Sequence, residues 1–135
     1  MRDNAKYWLL QNSIIAATAI ALLGYTTVRA VSLGITFDEA LTFREFVTQS
    51  FWDIVTLDSV SANNHIFHTL LVKFFTGIFG DSTFVIRMPN LIGHVLFLFF
   101  TWRFAIKVKP AVPIFILLNA HLVILEMFAL ARGYG

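Results

Sequence analysis

The chain has 135 residues, of which 58% are hydrophobic, 16% are aromatic and only 13% are charged, about half the charged fraction of a typical soluble domain. A soluble protein of this length has too small an interior for so much apolar surface, so the composition indicates a membrane environment. The net charge of +2 includes no lysine or arginine run that would favour nucleic acid, and the absence of cysteine excludes disulfides and thiolate chemistry.

The first predicted element is a membrane span over residues 8–28, preceded by a short polar head that contains Arg2 and Lys6. Its roughly 20 apolar residues suffice to cross a hydrocarbon core of about 30 Å. The alternative is a cleavable signal peptide, whose apolar region is usually about 7–15 residues long and ends at a site of small residues. Residues 26–30 make a poor cleavage site, which favours an uncleaved span.

Residues 29–88 form a long polar connection in which two amphipathic surface helices are predicted. The first, over residues 38–54, separates apolar from polar side chains and suits the membrane interface. The second, over residues 65–79, would be about 22 Å long, which is short for a span, and Gly80 is suited to end it. The apolar face of the first helix comprises Phe43, Phe46, Val47 and Ile54.

Two more spans are predicted over residues 89–106 and 111–131, with Pro89 in the first turn of the earlier one. The turn between them is basic, as is the N-terminal head, so both are predicted to face the cytoplasm. The connection over residues 29–88 is richer in acids and is predicted to face outward. Its acids are Asp38, Glu39, Glu45, Asp53, Asp58 and Asp81, against the bases Arg29, Arg44, Lys73 and Arg87.

The predicted fold class is therefore an all-α integral membrane protein. It has three transmembrane helices and two amphipathic surface helices in the first outer loop.

The adjacent carboxylates Asp38 and Glu39 are the first candidate site. One interpretation is structural, because Thr36-x-x-Glu39 is a capping box and acids in the first turn of a helix are stabilised by its dipole. The other is chemical, because a carboxylate at the outer membrane surface is a candidate general base. The two are compatible, since a capped helix start also holds a base in position.

Asn63, Asn64, His65 and His68 form a second polar group, at the start of the second surface helix. The two histidines are three residues apart and share a face, so a pair of metal ligands is conceivable, although the spacing marks no third ligand. The alternative is that an asparagine caps the helix and the imidazoles lie at the wet interface.

Further polar residues accompany the second and third spans. Arg87 can bind a phosphate or extend to lipid headgroups. Asn90 and His94 lie on one side of the second span, and Asn119 and Glu126 on one side of the third. Two interpretations stay open for these four: hydrogen bonds between helices, or the floor of a cavity that opens outward.

The order of these motifs resembles the N-terminal module of the C-type membrane glycosyltransferases (the GT-C fold). The similarity is to bacterial enzymes of the dolichyl-phosphate-mannose-protein mannosyltransferase and lipid A aminoarabinose transferase type. It covers essentially the whole chain and rests on order and spacing, because each motif is short. The motifs are Phe-Asp-Glu-Ala-x-Thr at 37–42, Asn-Asn-His at 63–65, Ile-Arg-Met-Pro-Asn at 86–90 and Ala-Arg-Gly-Tyr at 131–134.

The resemblance implies an enzyme of the bacterial inner membrane that transfers a sugar from a polyprenyl-phosphate carrier to a hydroxyl of a protein or glycolipid outside the membrane. By this resemblance, Asp38 is the candidate catalytic base, and Glu39 supports it or binds the acceptor. A need for a divalent cation is left open. The candidate substrate-binding residues are Asn64, His65, Arg87, Arg132 and Tyr134.

Members of that family are several hundred residues long, with many more spans, so this chain is expected to be part of a longer enzyme. The rival interpretation is a non-enzymatic three-span subunit that binds lipid or a partner protein, with Asp38 and Glu39 serving only as a cap. A transporter fragment is disfavoured, because no predicted span is interrupted by glycine or proline in its middle.

Overall fold

The computed structural model describes residues 2–56 and 65–131, and within these ranges all regular structure is helical, as predicted. Besides seven α-helices there is one π-helical segment, Thr42–Val47. The α-helices are α1 (Arg2–Ser32), α2 (Phe37–Leu41), α3 (Phe51–Thr56), α4 (Ile66–Phe79), α5 (Thr83–Ala105), α6 (Ala111–Asn119) and α7 (Leu122–Ala129).

Two helices are long and apolar enough to cross a membrane: α1 over Ala5–Ser32 and α5 over Thr83–Ala105. A third crossing is present if α6 and α7 together count as one span. Much of α1 faces outward, with Leu10, Ile20 and Val28 more than half exposed. Such apolar exposure is expected of a helix that contacts lipid. The chain is thus a helical membrane protein by length and composition, with two to three spans.

The second span begins six residues earlier than predicted, at Thr83 rather than Pro89. The reason is Ser82, which has extended backbone angles and whose hydroxyl accepts a hydrogen bond from the Val85 amide at 3.3 Å. This N-cap starts the helix upstream of the proline. The prediction that Pro89 occupies the first turn is therefore wrong, and the ring lies inside α5.

The predicted third span, residues 111–131, is divided into two helices, because α6 and α7 meet at an angle of 56°. The break falls at Ala120 and His121, with no glycine or proline there. Just before it, the Asn119 side chain donates to the Phe115 carbonyl at 2.8 Å and accepts from Thr101. A short amide side chain that hydrogen-bonds to the backbone competes with helical hydrogen bonding and ends the helix.

The first surface helix is likewise divided, into α2, the π-helical segment and α3. Ser50 acts as the cap at the start of α3. Its hydroxyl accepts a hydrogen bond from the Asp53 amide, and the Asp53 carboxylate accepts one from the Ser50 amide, both at 3.2 Å. The predicted apolar face is nevertheless confirmed. Phe46, Val47 and Ile54 are buried, and Phe43 packs against the cluster that contains Val47.

The second surface helix is confirmed as α4, which begins one residue later than predicted and ends at Gly80. It packs on the π-helical segment, where the Lys73 ammonium donates to the carbonyls of Val47 and Gln49, both at 2.7 Å. A cation at these carbonyls complements the negative end of the helix dipole. α4 thereby fixes the surface segments against α5.

Gly80 ends α4 with φ +87° and ψ 178°, a backbone conformation that is essentially restricted to glycine. We expect Gly80→Ala to lower the free energy of unfolding by about 1–3 kcal/mol, because of backbone strain alone. Gly77→Ala is the matched control: it lies inside α4 with open space at its Cβ position and should be neutral or stabilising. Thermal unfolding in detergent measures both, and equal effects of the two substitutions would contradict the assignment.

Candidate functional site

The acidic pair lies in the first turn of α2, where the predicted capping box is confirmed. Thr36 has extended backbone angles, and its hydroxyl accepts from the Glu39 amide at 3.4 Å. The Glu39 carboxylate in return accepts from the Thr36 amide at 2.8 Å. Two amides that have no partner within the helix are thus satisfied, and the helix start is fixed at Thr36.

The same Glu39 carboxylate forms a buried ion pair with Arg87 of α5. Arg87 Nε donates to Oε1 and Nη2 donates to Oε2, each at 2.7 Å, and both side chains are fully buried. This is the bidentate geometry in which a guanidinium and a carboxylate match best. Forty-eight positions separate the two residues in the chain, so the pair joins the surface loop to the second span.

The other donors of Arg87 contact the end of α1. Nη1 donates to the carbonyls of Ala30 and Leu33, and Nη2 donates to that of Gly34, each at 2.8 Å. The last carbonyls of a helix have no partner within it, and here the guanidinium supplies one. With the two bonds to Glu39, all five N–H groups of Arg87 are used.

Glu39 also binds the chain just after α7, because the Ala131 amide donates to Oε1 at 2.8 Å. One buried carboxylate and one buried guanidinium therefore join the end of α1, the start of α2, the second span and the end of α7. We call Glu39 and Arg87 the anchor pair.

The hydrogen bonds of the anchor pair set the charge of Glu39. Burial alone would raise the pKa of this carboxyl, but the bonds from Arg87, Ala131 and Thr36 lower its pKa from 4.5 to about 2. A carboxylate that accepts several such bonds is stabilised in its charged form. Glu39 is therefore ionised at neutral pH and is committed to structure.

Asp38 precedes Glu39 in the same turn, but its side chain is half-buried instead of fully buried. Successive helical residues point about 100° apart, so the two carboxylates of the predicted pair differ in environment. Glu39 is fully buried and bonds to Arg87, whereas Asp38 is only half-buried. Phe37, one residue earlier, is 80% exposed.

A cavity of about 550 Å³ lies between α4 and α5. His65 and His68 line it from α4 and its start, and Pro89 and Asn90 line it from α5, just after Arg87 in the chain. The volume falls in the range of small-molecule sites. His65 and His68, which were expected to share a face, therefore both line the same cavity.

His68 is buried, and its Nε2 atom has no hydrogen-bond partner in the described part of the chain. Burial, helped by the nearby charge of His65, lowers the pKa of His68 to about 4, against smaller opposing effects of Asn90 and Glu39. The ring is thus neutral at pH 7 and offers one nitrogen toward the cavity wall. In residues 2–56 and 65–131 no three histidine, aspartate or glutamate side chains are placed to hold a metal ion.

The predicted substrate-binding residues are placed unevenly. Arg87 has no N–H left for a phosphate in this arrangement, and it does not extend to lipid headgroups, because it is fully buried. The pairing of Arg87 with Glu39 was not predicted from the sequence. Asn64, Arg132 and Tyr134 lie outside the described residues.

A second ion pair, also missed from the sequence, joins α1 to α7. Arg29 Nε and Nη2 donate to the two carboxylate oxygens of Glu126 at 2.9 and 3.0 Å, and the Tyr25 hydroxyl donates to Oε1 at 3.2 Å. Both charged side chains are about one-third exposed. The scarcity of charged residues in the chain could have indicated this pair. In a membrane protein, opposite charges near the same end of two spans are expected to pair.

The other polar residues of the spans also bond between helices. Asn90 Nδ2 donates to the carbonyls of Met127, at 3.1 Å, and Leu130. His94 Nδ1 and the Thr26 hydroxyl lie 2.9 Å apart, and Thr101 donates to Asn119 at 3.1 Å. The helix-to-helix interpretation is thus confirmed for these residues and for Glu126.

No protein-family model matches the chain, and neither a curated protein nor a solved structure is detectably similar to it.

The low pKa of Glu39 makes the stability of the chain acid-sensitive. A carboxyl whose pKa falls from 4.5 to about 2 on folding stabilises the fold fully above 4.5, and this stabilisation is lost as the pH falls toward 2. We expect protonation of Glu39 to lower the free energy of unfolding by about 2 kcal/mol between about pH 5 and about pH 3.

Glu39→Gln should flatten that dependence and lower stability at neutral pH by about 3–5 kcal/mol, because it leaves Arg87 buried without its counter-charge. Glu45→Gln is the control, since Glu45 faces Arg44 at 3.9 Å in an exposed pair. Thermal unfolding over this pH range measures the stability of the wild-type protein and of the two variants. A wild-type profile in Glu39→Gln would contradict the anchor assignment.

Proposed function

We propose that this chain is the N-terminal part of the membrane domain of a polyprenyl-phosphate-sugar-dependent glycosyltransferase with a partial GT-C fold. The donor is a sugar linked to a polyprenyl phosphate, and the acceptor is a hydroxyl of a protein or glycolipid. Asp38 is the proposed base. The resemblance of the ordered motifs is the origin of this proposal.

The observation that carries the proposal is the fixed position of Asp38 beside the anchor pair. Its helix start is held by the Thr36 cap and by the bonds of Glu39 to Arg87 and Ala131. These contacts, made by Thr36 and Glu39, restrain the backbone of Asp38. A base that is held in place by its neighbours is what general-base catalysis requires.

The proposed reaction is a single displacement. The acceptor oxygen attacks the anomeric carbon of the sugar while its proton passes to the Asp38 carboxylate. The bond from that carbon to the phosphate oxygen breaks, and the polyprenyl phosphate leaves with the electron pair. The hydroxyl need lose its proton only as the phosphate departs, so proton transfer accompanies the breaking of the bond to phosphate.

In this proposal Glu39 and Arg87 are positioning residues. The departing phosphate needs donors or positive charge nearby, and Arg132 and Tyr134 are the residues proposed to supply them. His65 is proposed to bind substrate at the cavity between α4 and α5, and Asn64 is proposed to bind substrate on the strength of the resemblance alone. The localisation that follows is the bacterial inner membrane, with the N-terminus inside and the loop over residues 29–88 outside.

The test is Asp38→Asn in the protein expressed from its full reading frame, with sugar transfer from a synthetic polyprenyl-phosphate sugar measured in membranes. We expect transfer to fall by about 10²–10⁴-fold at unchanged protein level, as for loss of a general base. Asp53→Asn is the matched control, because Asp53 also lies in the first turn of a surface helix. It should retain transfer.

Undiminished transfer by Asp38→Asn would remove Asp38 from the reaction. The rival function, a non-enzymatic membrane subunit, is favoured by one observation: Glu39 and Arg87 are fully used in structure. It would be supported if the wild-type protein transferred no sugar from any polyprenyl-phosphate donor.

A further inference from the structure

At the end of the molecule opposite the anchor pair, α1 and α5 enclose a groove of about 440 Å³. Its walls are mainly apolar and aromatic, formed by Trp8 and Leu9 of α1 and by Phe99 and Trp102 of α5. One wall is fixed, because the Trp102 indole N–H donates to the Asn12 side chain at 3.0 Å. The groove is therefore a built feature of the helix pair.

Arg103 also lines the groove. It lies in the last turn of α5, is exposed, and makes no hydrogen bond or ion pair to any residue of the described ranges. The sequence at this end of α1 and α5 is basic. In the sequence, residues 1–6 and 103–109 contain one acid, Asp3, and five bases, namely Arg2, Lys6, Arg103, Lys107 and Lys109.

The position of the groove along the spans limits what can occupy it. It extends along α1 from Trp8 to Ala16, about 12 Å at the helical rise per residue. Tryptophan is characteristic of the membrane–water interface, so the Trp8 end is expected at headgroup level and the Ala16 end among acyl chains. An occupant must therefore carry an apolar chain and a negatively charged head.

We propose that this groove binds a bilayer phospholipid with an anionic headgroup. Arg103 binds the phosphate region, the two indoles flank the glycerol region, and the upper part of one acyl chain lies along Leu9 and Phe99. A zwitterionic phospholipid presents the same acyl chains but lacks the net negative charge that Arg103 selects. This site is independent of the proposed glycosyl transfer.

The groove contains two of the three tryptophans of the chain, so their fluorescence reports its occupation. The protein carries Trp52→Phe, which removes the third indole, and is reconstituted in phosphatidylcholine nanodiscs. Brominated phosphatidylglycerol or brominated phosphatidylcholine is then added in increasing mole fraction. We expect half-maximal quenching by the brominated phosphatidylglycerol at about fivefold lower mole fraction.

Arg103→Gln should abolish that preference, and Lys109→Gln, a matched change of charge near the same end but away from the groove, should retain it. Arg103 is exposed, so the substitution is not expected to affect folding, which circular dichroism checks. Equal quenching by the two lipids in the unsubstituted protein would overturn the proposal. Equal loss in both variants would also overturn it, since general attraction to a basic surface would then explain the preference.

Discussion

The ion pair between Glu39 and Arg87 is the interaction on which the rest of the structure depends. Removing two charges from water is costly, and burial is tolerated only where the geometry and the additional hydrogen bonds compensate. Here the geometry is bidentate, and both groups complete their bonding with backbone. Because those partners come from the ends of α1 and α7, one interaction determines how four segments meet.

The anchor pair also distinguishes the two carboxylates of the acidic motif. Glu39 is buried and ionised, and its oxygens bond to Arg87, Ala131 and Thr36, whereas its neighbour Asp38 lies half-buried at the edge of α2. A carboxylate that acts as a base must exchange protons, which a carboxylate with a pKa of about 2 in a closed ion pair does poorly. The proposed role therefore belongs to Asp38.

The sequence predicted local features well where one residue decides them. The Thr36 capping box, the end of α4 at Gly80 and the apolar face of Phe46, Val47 and Ile54 all follow from short patterns and are present. Breaks in helices were missed at Ser50 and Ala120. There the competing side-chain bonds of Asp53 and Asn119 depend on how the residues are placed in space.

Long-range pairing was beyond the sequence. Arg87 was interpreted as a phosphate or headgroup ligand because a lone arginine at a span end is compatible with both, and nothing in the chain marks its distant partner. The same holds for Arg29 and Glu126, which are 97 positions apart. Scarcity of charge predicts that such groups pair, but only the packing of the spans determines which pairs form.

A double-mutant cycle of Glu39→Gln and Arg87→Met, followed by thermal unfolding in detergent, tests the anchor most directly. The carbonyls that Arg87 caps at the end of α1 lose their partner in both arginine variants, so their contribution cancels and the cycle isolates the pair. We expect a coupling energy of about 2–3 kcal/mol, with the double variant far more stable than the sum of the single losses implies. Additive losses, within about 0.5 kcal/mol, would contradict it.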